Sequence, residues 1–114
     1  MSGLKILDRD TWEATINAPV AMVMLGKTDC VACNEWTTEL QAFLESDAEF
    51  TSVAFGKVLL DKGGLGKFKK ASPWLSEVHD LPTNVLYVNG EPVKRWVGNG
   101  VDRMSNRLRR VMQP

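Results

Sequence analysis

Val20-Ala-Met-Val-Met-Leu25, then Gly26-Lys-Thr-Asp29, then Cys30-Val-Ala-Cys33: an apolar run, a turn and a cysteine pair decide how this chain folds. The run is continuous rather than alternating, as in a strand covered on both faces, so it is expected at the centre of a sheet. Beyond it, Trp36, Leu40, Phe43 and Leu44 recur at helical spacing, and Ser46-Asp47 marks the helix end near residue 46. Cys30 and Cys33 are the only cysteines. A C-x-x-C carried from a buried strand onto the first turn of a helix places one thiol where backbone N–H groups and the helix dipole favour a thiolate. That is the layout of a dithiol redox centre.

Working outward, Lys5-Ile-Leu7 reads as a first strand, and Asp10 as the cap of a helix with Trp12, Thr15 and Ile16 on its apolar side, closed by Pro19. Phe50 to Leu60 reads as a strand broken by Gly56, with Val58-Leu59-Leu60 most buried. Asp61-Lys-Gly-Gly-Leu-Gly66 is a loop, and Lys67 to Val78 a short helix interrupted near Ser72-Pro73. Asn84 to Val88 and Pro92 to Val97 flank Asn89-Gly90, whose positive φ preference suits a tight hairpin turn. After Gly98-Asn-Gly100, a last helix carries Val101, Met104, Leu108, Val111 and Met112 on one face and Arg103, Arg107, Arg109 and Arg110 on the other.

The resulting order, β-α-β-α-β-α-β-β-α with C-x-x-C after the second strand, resembles the thioredoxin family from about residue 4 to 112. Two further anchors carry the resemblance. Asp80-Leu-Pro82-Thr83, just before the hairpin, is similar to the family's cis-proline loop, and Asn84 through Gly98 is similar to its last two strands and following glycine. The resemblance implies an α/β thioredoxin fold, a central mixed β-sheet flanked by α-helices, forming one domain over residues 1–114. It also implies that Pro82 is cis and packs against the sulfurs, that Leu81 offers its backbone to an incoming chain, and that Leu81, Pro82, Val97 and Gly98 border a substrate groove.

The residues themselves assign roles to the two thiols. Cys30, at the helix start, is the exposed nucleophile, and Cys33, one turn in, is the covered resolving thiol. Attack by Cys30 on a substrate disulfide gives a mixed disulfide that Cys33 displaces, leaving a Cys30–Cys33 disulfide. The alternative is a non-enzymatic interaction module or redox sensor that binds a partner through the cis-proline groove.

Departures from the family pattern bear on strength rather than type. Asp29 stands where an aromatic residue usually shields the site, and its carboxylate opposes a Cys30 thiolate. Val31-Ala32 replaces the family's Gly-Pro. Met24 occupies the position of the family's buried acid and cannot take a proton from Cys33. Lys57 matches the lysine beside that acid; it either favours a thiolate or, the expected outcome, extends its amine to water. Lys57 and Asp29 are thus the candidate pKa modulators.

Composition narrows the partners. Lys plus Arg equals Asp plus Glu at 14 each in 114 residues, so net charge argues against nucleic acid. The N-terminus lacks a signal-peptide core, and no apolar stretch reaches the roughly 18 residues that cross a bilayer. A cytoplasmic monomer is expected, acting on protein disulfides and dithiols and reduced by a thioredoxin-reductase-type donor, the last on resemblance alone. No metal or organic cofactor is expected. One cysteine pair supplies two ligands, and only a dimer could bring four thiolates to zinc or an iron–sulfur cluster. His79 reads as a partly exposed helix-end residue near Pro82, and Met24, Trp36, Trp74 and Trp96 read as core. Gly26-Lys27-Thr28 fails as a phosphate loop because the upstream glycine would fall at Ala21. Lys67, Lys69, Lys70 and the last-helix arginines read as solvated faces, with a docking surface for an acidic partner as the alternative.

Overall fold

The computed structural model describes residues 3–113. Strands β1 (Leu4–Ile6), β2 (Val20–Gly26), β3 (Ala54–Leu59), β4 (Thr83–Val88) and β5 (Glu91–Val97) form one sheet in the order β1-β3-β2-β4-β5. The β1, β3 and β2 strands run parallel, while β4 is antiparallel to β2 and β5 to β4. The sheet is therefore mixed, and β2 lies at its centre. Residues Ala21 to Leu25 are wholly buried, as a strand with cover on both faces must be.

Alternation along β2 divides the core in two. Met22 and Met24 point into a cluster with Trp36, Leu40 and Leu44 of α2 (Val31–Ser46) and Met104 and Leu108 of α4 (Val101–Met112). Ala21, Val23 and Leu25 point the other way, toward Trp12 and Ile16 of α1 (Trp12–Ile16) and Phe68 of α3 (Gly66–Lys70). Helices thus cover both sheet faces. The interruption expected at Ser72-Pro73 is real: α3 ends at Lys70, and a 3₁₀ turn restarts at Pro73–Glu77.

The structure corrects several local expectations. Residue 10 does not cap α1; Thr11 is the N-cap without a side-chain capping bond into the helix, while the Asp8 carboxylate accepts from the Asp10 N–H and the Thr11 hydroxyl. That helix ends at Ile16, before Pro19, whose carbonyl instead accepts the Asn89 N–H. The third strand starts at Ala54, because Phe50 to Val53 closes a turn through Val53 N–H to Phe50 O. Gly56 does not break the strand. It lies in register with Lys5 and Val23, and a Cβ there would stand 2.7 Å from Leu7 Cδ1, so the position is kept bare by close packing. The hairpin turn matches its sequence signal, with positive φ at Asn89 (50°) and Gly90 (84°).

Candidate redox site

The C-terminal end of β2, the N-terminal end of β4 and the C-terminal end of β5 meet at one edge of the sheet, since Leu25 pairs with Thr83 and Thr83 with Val97. From that edge β2 continues through Lys27 to Asp29 into Cys30, which is the N-cap of α2 in extended conformation. Its sulfur accepts the backbone N–H of Cys33 at 3.2 Å. Cysteine takes the role usually filled by a serine or aspartate oxygen at this position, so a helix-start N–H is aimed at the Cys30 sulfur. Cys30 and Cys33 are joined by a disulfide with their Cα atoms 5.2 Å apart. Cys30 is half-buried and Cys33 fully buried. Room for Cys33 comes from Gly26, where a Cβ would stand 3.2 Å from Cys33 Cβ and 3.3 Å from its sulfur.

The cis-proline loop lies beside this pair. The Leu81–Pro82 bond is cis, and the Pro82 carbonyl accepts the Gly98 N–H at 2.8 Å, joining the start of β4 to the segment after β5. Leu81 is half-buried, Pro82 buried and Val97 exposed. Val31, between the two cysteines, is 73 % exposed and adds an apolar contact surface that its sequence position did not disclose. On the far flank, Val78, His79, Asp80, Thr83 and Val97 border an open depression of about 290 Å³. His79 is exposed there, as expected.

Behind the cysteines the residues expected to tune them take up an arrangement the sequence did not reveal. Lys57 does not extend into water. It is 7 % exposed and donates from Nζ to Thr37 Oγ1 at 2.8 Å. The Thr37 hydroxyl in turn donates to the Cys33 carbonyl at 2.8 Å and lies 3.5 Å from Met24 Sδ. Met24 and Lys57 are register partners, so the methionine occupies the space a carboxylate would need to pair with the ammonium. Burial holds the Lys57 amine below its ordinary range. Asp29 is exposed.

A second network runs from the cysteine helix to the segment after β5. The Trp36 indole N–H donates to Asn84 Oδ1 at 2.8 Å, and Asn84 Nδ2 donates to the Gly98 carbonyl at 2.8 Å. Asn84 is fully buried in a strand, TNVLYV, whose following residues are mostly apolar, which is the signal that could have marked it. Trp36 is core, as is Trp96 at 6 % exposure, but Trp74 is only half-buried and carries Arg95 over its ring. Among the described residues no cluster of three or more His, Cys, Asp or Glu side chains could hold a metal ion, and no helix is long and apolar enough to cross a membrane.

Comparison with known proteins places this geometry. Thioredoxin f2 of Chlamydomonas reinhardtii superposes with a TM-score of 0.72 at 25 % identity, over 98 % of this chain and 99 % of that one. The short form of spinach chloroplast thioredoxin f gives 0.76 at 15 % identity, over 97 % and 95 %. Oxidized thioredoxin O2 of Arabidopsis thaliana gives 0.72 at 15 %, over 97 % and 96 %. This is a thioredoxin fold. No family model and no curated protein matches the chain by sequence. In the thioredoxin-like framework the C-x-x-C pair stands at the strand-to-helix junction and the cis proline at the neighbouring strand start. Fold and cysteine pair together support thiol–disulfide oxidoreductase chemistry in general.

Proposed function

We propose that this protein exchanges dithiols for disulfides in protein substrates, with Cys30 as nucleophile and Cys33 as resolving thiol. The observation that carries the reading is the asymmetry of the pair: a half-buried Cys30 whose sulfur has a backbone N–H directed at it, and a wholly buried Cys33. In the reduced protein the Cys30 thiolate attacks one sulfur of a substrate disulfide. A Cys30–substrate disulfide forms and the first substrate thiolate leaves, taking a proton from water. Cys33 then loses its proton and attacks Cys30 Sγ, closing the Cys30–Cys33 bond and releasing the second substrate thiol. Two electrons pass to the substrate, and an external dithiol restores the starting state. Leu81, Pro82, Val97 and Gly98 form the rim against which the substrate backbone lies, with Val31 as an added apolar contact. The restoring dithiol is assigned to a thioredoxin-reductase-type donor, and the compartment to the cytoplasm.

The Cys33 step lacks a carboxylate base, because Met24 fills that position. Lys57 is the one charged residue among the buried side chains described, and it is tied through Thr37 to the Cys33 carbonyl. Its ammonium favours the Cys33 thiolate by attraction in a site of low polarity rather than by accepting a proton. Insulin-disulfide reduction by dithiothreitol tests the main reading: the wild type should accelerate it, and Cys30→Ser should abolish the acceleration. Cys33→Ser should instead accumulate a mixed disulfide visible by mass. Absence of acceleration above background by the wild type, with a pair that titrates reversibly, would favour the binding module or sensor.

A further inference from the structure

We propose that the surface shared by α4 and β5 is a docking site for a carboxylate-rich segment of the disulfide substrate, held by Arg103, Arg107 and Arg110 with Lys94 at its edge. The proposal rests on the exchange reading of Cys30 and Cys33. The chain as a whole carries no net charge, so a one-sign face is a matter of arrangement. Arg95 and Arg109 are paired, with Glu77 and Glu49 respectively. No such carboxylate partner is found among the described residues for the other three arginines or for Lys94. Asp102, the acidic residue of α4, makes no ion pair with any of them among the described residues.

Positions 103, 107 and 110 fall on one helical stripe, about 10 Å long at 1.5 Å per residue. The stripe begins at the groove. Arg103 Nη2 donates to Val97 O at 2.7 Å and to Asn99 O at 3.2 Å, bracketing Gly98, whose N–H holds the Pro82 carbonyl. Arg107 lies over the Trp96 ring with its guanidinium carbon 4.6 Å from the centroid. These are not freely waving cations: two of the three guanidinium forks are fixed before a partner arrives, which lowers the ordering cost of binding a carboxylate. Burial, and then the neighbouring Arg103 and Arg110, push the Arg107 guanidinium down, a like-charge cost that a bound anion relieves. Arg107 Nη1 and the Trp96 indole N–H are both buried without a hydrogen-bond partner, so no acceptor of the chain reaches them. Lys94 stands two residues from Trp96, on the same face of β5. A short stripe beside a redox pair suits a few carboxylates flanking a disulfide. Duplex DNA binders typically neutralise more phosphates, about 6–10.

The test uses two peptides with one internal disulfide each, one flanked by Glu and Asp, the other by Gln and Asn. With the reduced full chain and dithiothreitol at low ionic strength, kcat/KM should be on the order of tenfold higher for the acidic peptide. The advantage should shrink with added salt and largely vanish in Arg107→Gln/Arg110→Gln. Since Arg107 packs on Trp96, Lys94→Gln/Arg110→Gln, which removes two charges and neither stacking contact nor ion pair, should show the same trend in a folded protein. Equal rates for the two peptides, or a preference untouched by both variants, would overturn the proposal. Fluorescence anisotropy of the same peptides on the oxidised protein separates the two claims: charge-dependent binding without reduction of either peptide overturns exchange and supports the surface. Tighter binding of a DNA duplex than of the acidic peptide at equal ionic strength overturns the surface as a polypeptide site.

Discussion

Replacing Asn84 by alanine should cost about 2–4 kcal/mol of stability and loosen the redox site at the same time. The magnitude follows from the bonds lost. Two hydrogen bonds, from Trp36 and to Gly98, contribute about 1 kcal/mol each, and stranding the indole N–H of a fully buried tryptophan costs about 1–3 kcal/mol, part of which is the same energy counted from the other side. The Gly98 carbonyl, in a half-buried residue, can recover a partner from water. At about 4 °C per kcal/mol for a domain of this size, the melting temperature of the oxidised protein should fall by about 8–16 °C. Urea and thermal unfolding followed by circular dichroism measure the loss. A double-mutant cycle with Trp36→Phe and Asn84→Leu isolates the Trp36–Asn84 term, because removing both partners leaves no orphaned donor; a coupling of about 1–2 kcal/mol is expected. A cost below about 1 kcal/mol for Asn84→Ala, or additive single-mutant costs in the cycle, would refute the role assigned to this bond.

Lys57→Met should raise the pKa of the Cys33 thiol, read from thiolate absorbance against pH in a Cys30→Ser background; an unchanged titration removes Lys57 from the mechanism. The same variant tests linkage. Burial lowers the folded-state pKa of Lys57 below its ordinary 10.5, so between the two values the unfolded chain binds the additional proton and wild-type stability should rise with pH, a slope that Lys57→Met should flatten. Tyr87, whose pKa burial raises above its ordinary 10.0, acts with the opposite sign: the folded state keeps a proton that the unfolded chain loses, so stability falls as pH climbs past 10.0, and the Lys57 comparison belongs below that point. Gly56→Ala should destabilise by about 1–3 kcal/mol, because the new methyl meets Leu7 at 2.7–3.0 Å. Gly26→Ala is expected to shift the redox potential of the pair, since its methyl presses on Cys33 at 3.2–3.3 Å; a potential equal to wild type would contradict that contact.

Much of this architecture was legible because it rests on short-range rules. The unbroken apolar run of β2, the Asn89-Gly90 turn and the spacing of Trp36, Leu40 and Leu44 each express one local constraint, and the structure honours all three. What stayed hidden depends on which side chains meet across elements. Lys57 was expected to reach water because a lysine stem is long and flexible, yet Thr37, twenty residues away in sequence, offers its hydroxyl at hydrogen-bond distance. Asn84 was read only as the start of a hairpin arm; its partners come from α2 and from beyond β5. Asp10 reads as a cap from residue type and position, but the Asp8 carboxylate already collects the local donors. At Phe50 a hydrophobic signal was genuine and its conformation was not: the residue is buried in a turn, where burial has no period to read.

The two unusual residues flanking the pair do not act with equal weight. Asp29 is exposed, so its opposition to charge on Cys30 is weakened by water and salt, to about 1 kcal/mol even at 4 Å. Against it stands the Cys33 N–H at the helix start, fixed at 3.2 Å from the Cys30 sulfur. Met24 acts in the interior, where no water compensates for the carboxylate it displaces. On the proposed exchange reading its effect falls on the enclosed Cys33 thiol. The consequence is a division of labour that kinetics can separate: formation of the mixed disulfide should depend on Cys30 and vary with salt through Asp29, while its resolution should depend on Lys57 and be insensitive to salt. Stopped-flow measurement of the two phases at varied ionic strength, in the wild type and in Lys57→Met, should therefore show the variant slowing the second phase and sparing the first. Equal slowing of both phases would mean that Lys57 supports the fold of the site rather than the ionisation of Cys33.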